Sequence, residues 1–199
     1  MSGIFESGSG GLTVLKAIRD VMPSADILYF GDIRNAPYGE KTREELSRLT
    51  VENIRVLQAR GATSIVSACN SVSASLAVSL FDALGLAQQN LIEMVGPTVS
   101  YFKDFKKPIL LAATPATVSS ELYQSAFRML GITIDAVAIP KLAGAIEFGV
   151  SATDQERLIA AAFAPYDLEK YGALILACTH YPLAGASFRK VLGEVPFFD

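Results

Sequence analysis

Two cysteines, Cys69 and Cys178, lie in nearly the same local sequence in the two halves of the chain. Each thiol follows a short apolar run, at residues 64–68 and 173–177, and each is followed by a polar pair. Open α/β sheets build their sites from a strand that delivers a side chain at its carboxyl end and is followed by a helix. The sequence therefore predicts this unit twice, with one thiol in each copy.

The beginnings of the two halves also agree. Residues 3–8 form a predicted strand that enters a turn, and residues 109–117 form another. Glu6 in the first turn precedes its thiol by 63 positions, and Thr114 in the second precedes its thiol by 64. This near-equality predicts two related lobes that each contribute one thiol to a shared cleft.

Between these points, predicted strands alternate with predicted helices. The strands cover residues 4–5, 26–30, 64–68, 92–95, 109–112, 135–139 and 173–176. The helices cover residues 11–21, 43–58, 73–84, 119–130, 153–164 and 184–192. This alternation is typical of mainly parallel sheets flanked by helices. The predicted fold class is α/β, with pseudo-symmetric lobes at 1–95 and 96–185 that meet at Gly96-Pro97 and enclose the active site between them.

The composition excludes several classes of protein. With 51% hydrophobic and 19% charged residues among 199, the chain can bury a sizeable core. Its net charge of −3 and the lack of a basic run argue against a nucleic-acid partner, so a small molecule is the expected ligand. No apolar stretch approaches the roughly 18–20 residues of a membrane helix, and no signal peptide is recognisable, so a cytoplasmic protein is expected.

The two cysteines are expected to be free thiols, since disulfides are rare in a reducing compartment. Free cysteine is among the most buried residue types, so both thiols could be purely structural. Their shared position, where a strand gives way to a helix, favours a reactive role because helix N-terminal amides lower a thiol pKa.

The glycine-rich turn at residues 7–11 allows two interpretations. It lacks the dinucleotide-binding fingerprint because Thr13 stands where the third glycine belongs, and no P-loop lysine follows. Its amides, just before a helix, can cradle a carboxylate. Its glycines can equally serve close packing of the backbone.

The chain resembles the glutamate racemases in five segments that follow the family order. The most specific is Cys178-Thr179-His180-Tyr181-Pro182-Leu183, and together the segments span essentially the whole chain. The matching segments are residues 3–12, 29–32 together with 36–41, 68–71, 114–117 and 177–183.

The resemblance implies racemisation of glutamate without a cofactor or a metal. A weakly acidic α-proton leaves one face of the substrate and a proton returns to the other, so such an enzyme needs two acid/base groups on opposite sides. The resemblance assigns these roles to Cys69 and Cys178. It places Glu6 beside the first thiol, and Glu147 and His180 beside the second.

The resemblance also implies a glutamate-binding set composed mainly of neutral donors. The residues implied near the α-amino and α-carboxylate groups are Ser7, Asn70, Ser71 and Thr179, with Glu6 and His180. Those implied near the side-chain carboxylate are Tyr38, Gly39 and Thr117. The implied biological role is the supply of D-glutamate for peptidoglycan by a cytoplasmic homodimer.

Three features depart from the family pattern. Glu6 stands where the family usually has aspartate, and Ser71 stands where threonine is usual. Residues 186–199 are expected to form a shortened segment that returns toward the first lobe, where an exposed sheet edge would favour oligomerisation. Two alternatives remain open: a racemase of the same superfamily for another amino acid or dicarboxylate, and a catalytically weak paralogue that binds glutamate or a protein partner.

Overall fold

The first lobe is built around four strands in the computed structural model, which describes residues 1–73, 84–85, 87 and 90–199. These strands are β1 (Ser2–Glu6), β2 (Ile27–Gly31), β3 (Ser64–Ser67) and β4 (Leu91–Ile92). The helices described in this part of the chain are α1 (Leu12–Val21), α2 (Arg43–Ala59) and α3 (Asn70–Ser73).

The second lobe also has four strands. They are β5 (Ile109–Ala113), β6 (Ile134–Ala138), β7 (Ala173–Ala177) and β8 (Phe197–Phe198). The helices from the end of β4 onward are α4 (Val95–Tyr101), α5 (Pro115–Ser119), α6 (Leu122–Met129), α7 (Leu142–Glu147), α8 (Ala152–Phe163) and α9 (Gly185–Leu192). Short 3₁₀ segments lie at Ile33–Asn35, Leu168–Lys170 and Tyr181–Ala184.

The two sheets have the same topology. Their strand orders are β2-β1-β3-β4 and β6-β5-β7-β8, and every neighbouring pair is parallel. In each lobe the chain passes to one side of the first strand and then crosses to the other side, so the strand order reverses next to β1 and next to β5. The predicted two-lobed α/β fold is confirmed, and such reversal points are where open sheets place their sites.

Buried central strands and amphipathic helices hold each lobe together. Every residue of β5 and β7 is buried. Helix α2 begins with a capping box, in which Thr42 and Glu45 satisfy backbone amides that lack helical partners. The side chains that this helix buries follow helical spacing, and they are Leu46, Leu49, Thr50, Asn53, Ile54 and Leu57.

Two predicted elements differ from the structure for local reasons. The strand predicted at 92–95 is shorter, because α4 begins at Val95 and includes Gly96-Pro97 in its first turn, where proline's missing N–H costs no helical hydrogen bond. The helix predicted at 119–130 begins only at Leu122, as α6, because Glu121 before it has a left-handed backbone, with φ of +56°.

The described residues do not test two further predictions. The helix predicted at 73–84 lies almost entirely outside the described residues. The lobe bounds at 1–95 and 96–185 remain a prediction. Among the helices of the described ranges, none has the length and apolar character needed to cross a membrane.

The last residues of the chain lie in the second lobe, contrary to the expectation that 186–199 return toward the first. Phe197 pairs with Leu174, and Phe198 pairs with Ile175, which adds β8 to the β7 edge. Helix α9 packs against α8, and Phe188 of α9 is fully buried in the same core. The apolar residues at the end of the chain therefore pair with β7, the strand that precedes them in the sequence.

Candidate active site

The carboxyl ends of four strands meet across one cleft. Glu6 is the last residue of β1, and Cys69 follows β3 by two positions. Thr114 follows β5 directly, and Cys178 follows β7 directly. The reversal points of the two sheets thus face each other, and each brings one thiol to the cleft.

Nearly all the predicted site residues line this cleft. The lining consists of Glu6, Ser7, residues 36–39, residues 69–71, Thr114, Ala143, Glu147 and residues 178–180. Thr117 is the exception, because it is buried behind Thr114 and is bonded to it at 3.1 Å between hydroxyl oxygens. The free space left in the cleft is about 10 Å³, room for about one water molecule. Any ligand larger than a water molecule therefore requires the two walls to move apart before it enters.

Cys69 is connected to a buried carboxylate through one hydroxyl. Its Sγ donates to Ser7 Oγ at 3.6 Å, and Ser7 Oγ donates to Glu6 Oε1 at 3.0 Å. Burial, together with the negative charge of Glu6, raises the pKa of the Cys69 thiol to about 12, against the opposing effect of the Ser7 hydrogen bond. In this closed arrangement Cys69 is a neutral thiol at pH 7.

Cys178 is connected to a second buried carboxylate through an imidazole. Its Sγ lies 4.0 Å from His180 Nδ1, and His180 Nε2 lies 2.5 Å from Glu147 Oε2. Burial raises the pKa of the Cys178 thiol far above its ordinary value, and the backbone N–H of His180 only partly offsets this. Each thiol is thus connected, through the polar group of one intervening side chain, to a carboxylate buried in the wall of the cleft.

The Glu147 carboxylate fixes the orientation of the imidazole. Burial opposes its ionisation, but hydrogen bonds from His180 and Ser9 outweigh burial and hold the pKa of Glu147 below its usual range. An ionised carboxylate only accepts hydrogen bonds, so His180 Nε2 must donate to it. In the neutral imidazole, Nδ1 is then an unprotonated acceptor that faces Cys178.

The glycine-rich turn packs against this pair and binds its carboxylate. Ser9 donates from its backbone N to Glu147 Oε2 at 3.0 Å and from its hydroxyl at 2.9 Å. A Cβ atom on Gly10 would lie 2.6 Å from His180 Nδ1, and one on Gly8 would lie 2.8 Å from Glu147 Oε2. Both interpretations of the turn therefore hold, and the carboxylate that it cradles is the protein's own.

We expect Gly10→Ala to lower kcat/KM for the racemisation that the family resemblance implies by about 100-fold, because the added methyl group displaces His180 from Cys178 by about 1 Å. Circular dichroism at several substrate concentrations measures the loss. Gly185→Ala is the matched control, since the nearest atom to its new Cβ, Arg189 Nη2, lies 3.6 Å away. A Gly10→Ala variant within about threefold of wild type would contradict this packing account.

Glu6 connects the two lobes. Its Oε1 also accepts from Thr179 Oγ1 at 2.9 Å, and its Oε2 accepts from the backbone N of Gly8 at 2.5 Å. Thr179 adjoins Cys178 in the second lobe, whereas Glu6 belongs to the first. Together with the contact between Ser9 and Glu147, this bond makes a pair of reciprocal links across the cleft.

Hydroxyls and a tight loop form another part of the wall. Ser71 Oγ lies 2.9 Å from Thr114 Oγ1 across the lobes. Gly39 accepts from the backbone N of Ala116 at 2.9 Å, and a Cβ on Gly39 would lie 2.6 Å from Thr114 Cγ2. Only glycine allows the loop to approach this close.

Tyr38, the residue before this glycine, is held by a buried carboxylate that the sequence analysis did not identify. Its hydroxyl donates to Asp32 Oδ2 at 2.5 Å, and Asn53 Nδ2 donates to both groups, at 2.9 and 3.1 Å. Asn35 donates to both oxygens of Asp32 at 2.9 Å. Burial opposes ionisation, but these donors outweigh it and hold the pKa of Asp32 below its usual range.

We expect Asp32→Asn to lower the free energy of unfolding by about 1–3 kcal/mol at pH 7. Because the folded state lowers the Asp32 pKa, its ionised form contributes fully above the ordinary value of 3.8 and loses its contribution as the pH falls through the folded value. Urea unfolding should therefore show a difference in the free energy of unfolding between wild type and variant, and this difference should narrow below about pH 4.

The control for this pH dependence is Asp135→Asn, which removes an exposed carboxylate that accepts from Tyr171 at 2.7 Å. This substitution should change stability by less than about 0.5 kcal/mol at any of these pH values. A constant difference between wild type and Asp32→Asn from neutral to acid pH would show that the charge of Asp32 does not stabilise the fold.

Comparison with known proteins places this cleft in a family. The sequence model of the Asp/Glu/Hydantoin racemase family matches residues 13–199. The chain belongs to this family. A glutamate racemase of Aquifex pyrophilus is 36% identical over 197 residues, covering 99% of this chain and 77% of the relative. Membership of the racemase family makes the protein an isomerase by class.

Solved glutamate racemases share the fold. The crystal structure of an isoform from Bacillus anthracis has a TM-score of 0.87 and 31% identity, covering 100% of this chain and 76% of that one. The structure from Francisella tularensis, in complex with D-glutamate, has a TM-score of 0.87 and 29% identity, covering 99% and 74%. The two-lobed architecture described above is therefore the architecture of these racemases.

Several cleft or supporting residues of this racemase were missed by the sequence analysis. They are Ser9, Asp32, Asn53, Thr114 and Tyr123. Ser9 lies inside the glycine-rich turn, and Thr114 was noted only as the start of the second half. Asp32 lies at the end of the matching segment 29–32 but was given no role there. Asn53 and Tyr123 carried no signal in the sequence, because their partners are distant along the chain.

Proposed function

We propose that the protein interconverts L- and D-glutamate without a cofactor, using Cys69 and Cys178 as its two acid/base groups. The observation that carries the proposal is the matched pair of connections from each thiol to a buried carboxylate. One runs from Cys69 through Ser7 to Glu6, and the other runs from Cys178 through His180 to Glu147. Two such groups on one cleft suit a reaction that exchanges protons on both faces of a carbon atom.

The reaction proceeds by transfer of one proton from each side. One cysteine, as a thiolate, removes the α-proton of glutamate, and the electron pair of the broken C–H bond remains on the α-carbon. The other cysteine, as a thiol, donates its proton to the opposite face and becomes the thiolate. In the reverse direction the two residues exchange roles, and protons exchange with solvent between turnovers.

Substrate binding supplies the charge that a thiolate needs. Burial raises both thiol pKa values, so neither cysteine is ionised in the closed cleft. The α-ammonium group of glutamate brings a positive charge beside the thiols, which favours their ionised form. On one side the unprotonated His180 Nδ1 accepts the proton of Cys178, and on the other Ser7 leads from Cys69 to Glu6.

Mainly neutral donors hold the substrate in this proposal. The groups proposed for the α-amino and α-carboxylate ends are Ser7, Asn70, Ser71 and Thr179, with Glu6 and His180. Those proposed for the side-chain carboxylate are Tyr38 and Gly39, supported by Thr117 behind Thr114. Donors of this kind bind two carboxylates without the excess ground-state affinity of an arginine clamp, which would not accelerate the chemistry.

Circular dichroism of purified protein with L-glutamate tests the proposal. The signal should decay to zero, and D-glutamate should decay to the same end point from the opposite sign. L-aspartate and other amino acids serve as comparison substrates. Faster racemisation of one of these would indicate a superfamily enzyme for a different substrate. If glutamate raises the unfolding temperature but is not racemised, a binding paralogue replaces the proposed enzyme.

We further propose that the protein is a cytoplasmic homodimer that supplies D-glutamate for peptidoglycan. The similarity to glutamate racemases supports the metabolic role. Large apolar side chains are exposed at Val21, Met22 and Tyr101, which suits a contact surface for a second copy. Light scattering coupled to size-exclusion chromatography should give twice the chain mass, and a monomer at micromolar concentration would overturn the dimer.

A further inference from the structure

Tyr123 of helix α6 lies behind the cleft and contacts Asn70 of the other lobe. Its side chain is buried, with 1% of its surface exposed. Its hydroxyl donates to Asn70 Oδ1 at 2.6 Å. Asn70 itself lines the cleft and directly follows Cys69, whereas Tyr123 is not part of the lining.

This contact determines which end of the Asn70 amide is available. A carboxamide carries an acceptor at Oδ1 and two donors at Nδ2. Burial raises the pKa of the Tyr123 phenol, so the phenol keeps its proton and acts as the donor. The acceptor end of Asn70 is therefore occupied by Tyr123, and the Nδ2 hydrogens remain for another partner.

A fixed amide matters most when the ligand is an anion. In the orientation set by Tyr123, Nδ2 offers N–H groups to a carboxylate. If the amide were rotated by half a turn, its oxygen would face the carboxylate and repel it. Without the phenol, both orientations become accessible, and only one of them binds.

We propose that Tyr123 is a positioning residue, which holds the Asn70 amide so that Nδ2 donates to a carboxylate of the substrate. The inference rests on the proposed function, since it concerns the recognition of glutamate at the same cleft. It adds to that function a dependence on the second lobe, because α6 supplies the group that orients a binding residue of the first.

Tyr123→Phe tests this role with the loss of one oxygen atom. If Asn70 binds the carboxylate equally in the ground state and the transition state, KM should rise about tenfold while kcat stays within about twofold. Tyr166→Phe is the matched control, because the Tyr166 hydroxyl also donates to a carbonyl, that of Ala136 at 3.3 Å, but lies outside the cleft. Its KM should equal that of wild type.

A double-mutant cycle separates positioning from a general effect on the fold. In an Asn70→Ala background, Tyr123→Phe should raise KM no further, because the amide that it orients is gone. An unchanged KM in Tyr123→Phe would overturn the inference. A full tenfold effect that persists in the Asn70→Ala background would overturn it as well.

Calorimetric binding of glutamate to the same variants distinguishes failure of the inference from failure of the proposed function. Wild type that binds glutamate without racemising it would overturn the proposed function alone. In that event a tenfold weaker Kd in Tyr123→Phe would still support the inference, and an equal Kd would overturn it. Wild type that neither binds nor racemises glutamate would overturn both.

Discussion

Cys69→Ser and Cys178→Ser should each lower the rate of glutamate racemisation by about 10³–10⁴-fold. The change keeps the size and hydrogen-bonding capacity of the side chain but replaces a thiol by a much weaker acid. Proton transfer by a positioned group typically contributes 10²–10⁴-fold to a rate, and the upper end is expected where that group is the base itself. Circular dichroism under saturating glutamate measures the loss.

The single-thiol variants should differ from each other in proton exchange. The remaining cysteine can still remove and return the α-proton on its own face, so each variant should exchange the α-hydrogen of one enantiomer with deuterium oxide. The two variants should prefer opposite enantiomers. Racemisation by either variant at more than about one-tenth of the wild-type rate would contradict the assignment of both thiols as acid/base groups. Unfolding midpoints close to wild type serve as the control for an intact fold.

His180→Asn should lower kcat by about 10²–10³-fold, because Cys178 loses the group proposed to accept its proton. Asparagine retains an amide that can donate to Glu147, so the wall of the cleft keeps one of its hydrogen bonds. L- and D-glutamate have equal free energies in solution, so kcat/KM must fall equally in the two directions. The separate values of kcat and KM need not change equally in the two directions, and their changes report which half-reaction His180 assists.

Glu147→Gln provides the matched comparison for His180. Glu147 orients the imidazole and does not face either thiol, so its loss should cost less than the loss of His180. Once His180 is absent, Glu147→Gln should have little further effect, since the two side chains act as one unit. Additive losses in the double variant would contradict the proposed path from Cys178 through His180 to Glu147.

Much of the fold and part of the site followed from local patterns in the sequence. Apolar runs of strand length alternate with helical periodicity, and this alternation leads to parallel sheets. The positions of Cys69 and Cys178 at the ends of such runs placed them at the carboxyl edges of the sheets. Family resemblance then added Glu147 and His180, whose roles were not apparent from spacing alone.

Other features depend on contacts that no local pattern records. The bond from Ser9 to Glu147 joins residues 138 positions apart, and that from Tyr123 to Asn70 joins residues 53 apart. Helix α7, which carries Glu147, was not predicted, because it has only six residues and starts after Lys141 in a left-handed conformation. Short elements of this kind are stabilised by tertiary packing, which periodicity cannot show.

The position of the last residues of the chain also could not be read from a local pattern. Residues 186–199 were expected to return toward the first lobe, whereas Phe197 and Phe198 join the sheet of the second. Apolar character predicts that a segment is buried, but it does not say against which edge. The β7 edge was available in the second lobe, and the strand pairs there.

The central claim is that two thiols move protons on opposite faces of the substrate. Initial-rate NMR of wild-type protein with L-glutamate in deuterium oxide tests this most directly. The account predicts that the D-glutamate formed carries deuterium at the α-carbon while the remaining L-glutamate keeps its hydrogen. D-glutamate that retains the substrate's own hydrogen, or deuterium that enters both enantiomers equally from the first turnovers, would contradict it.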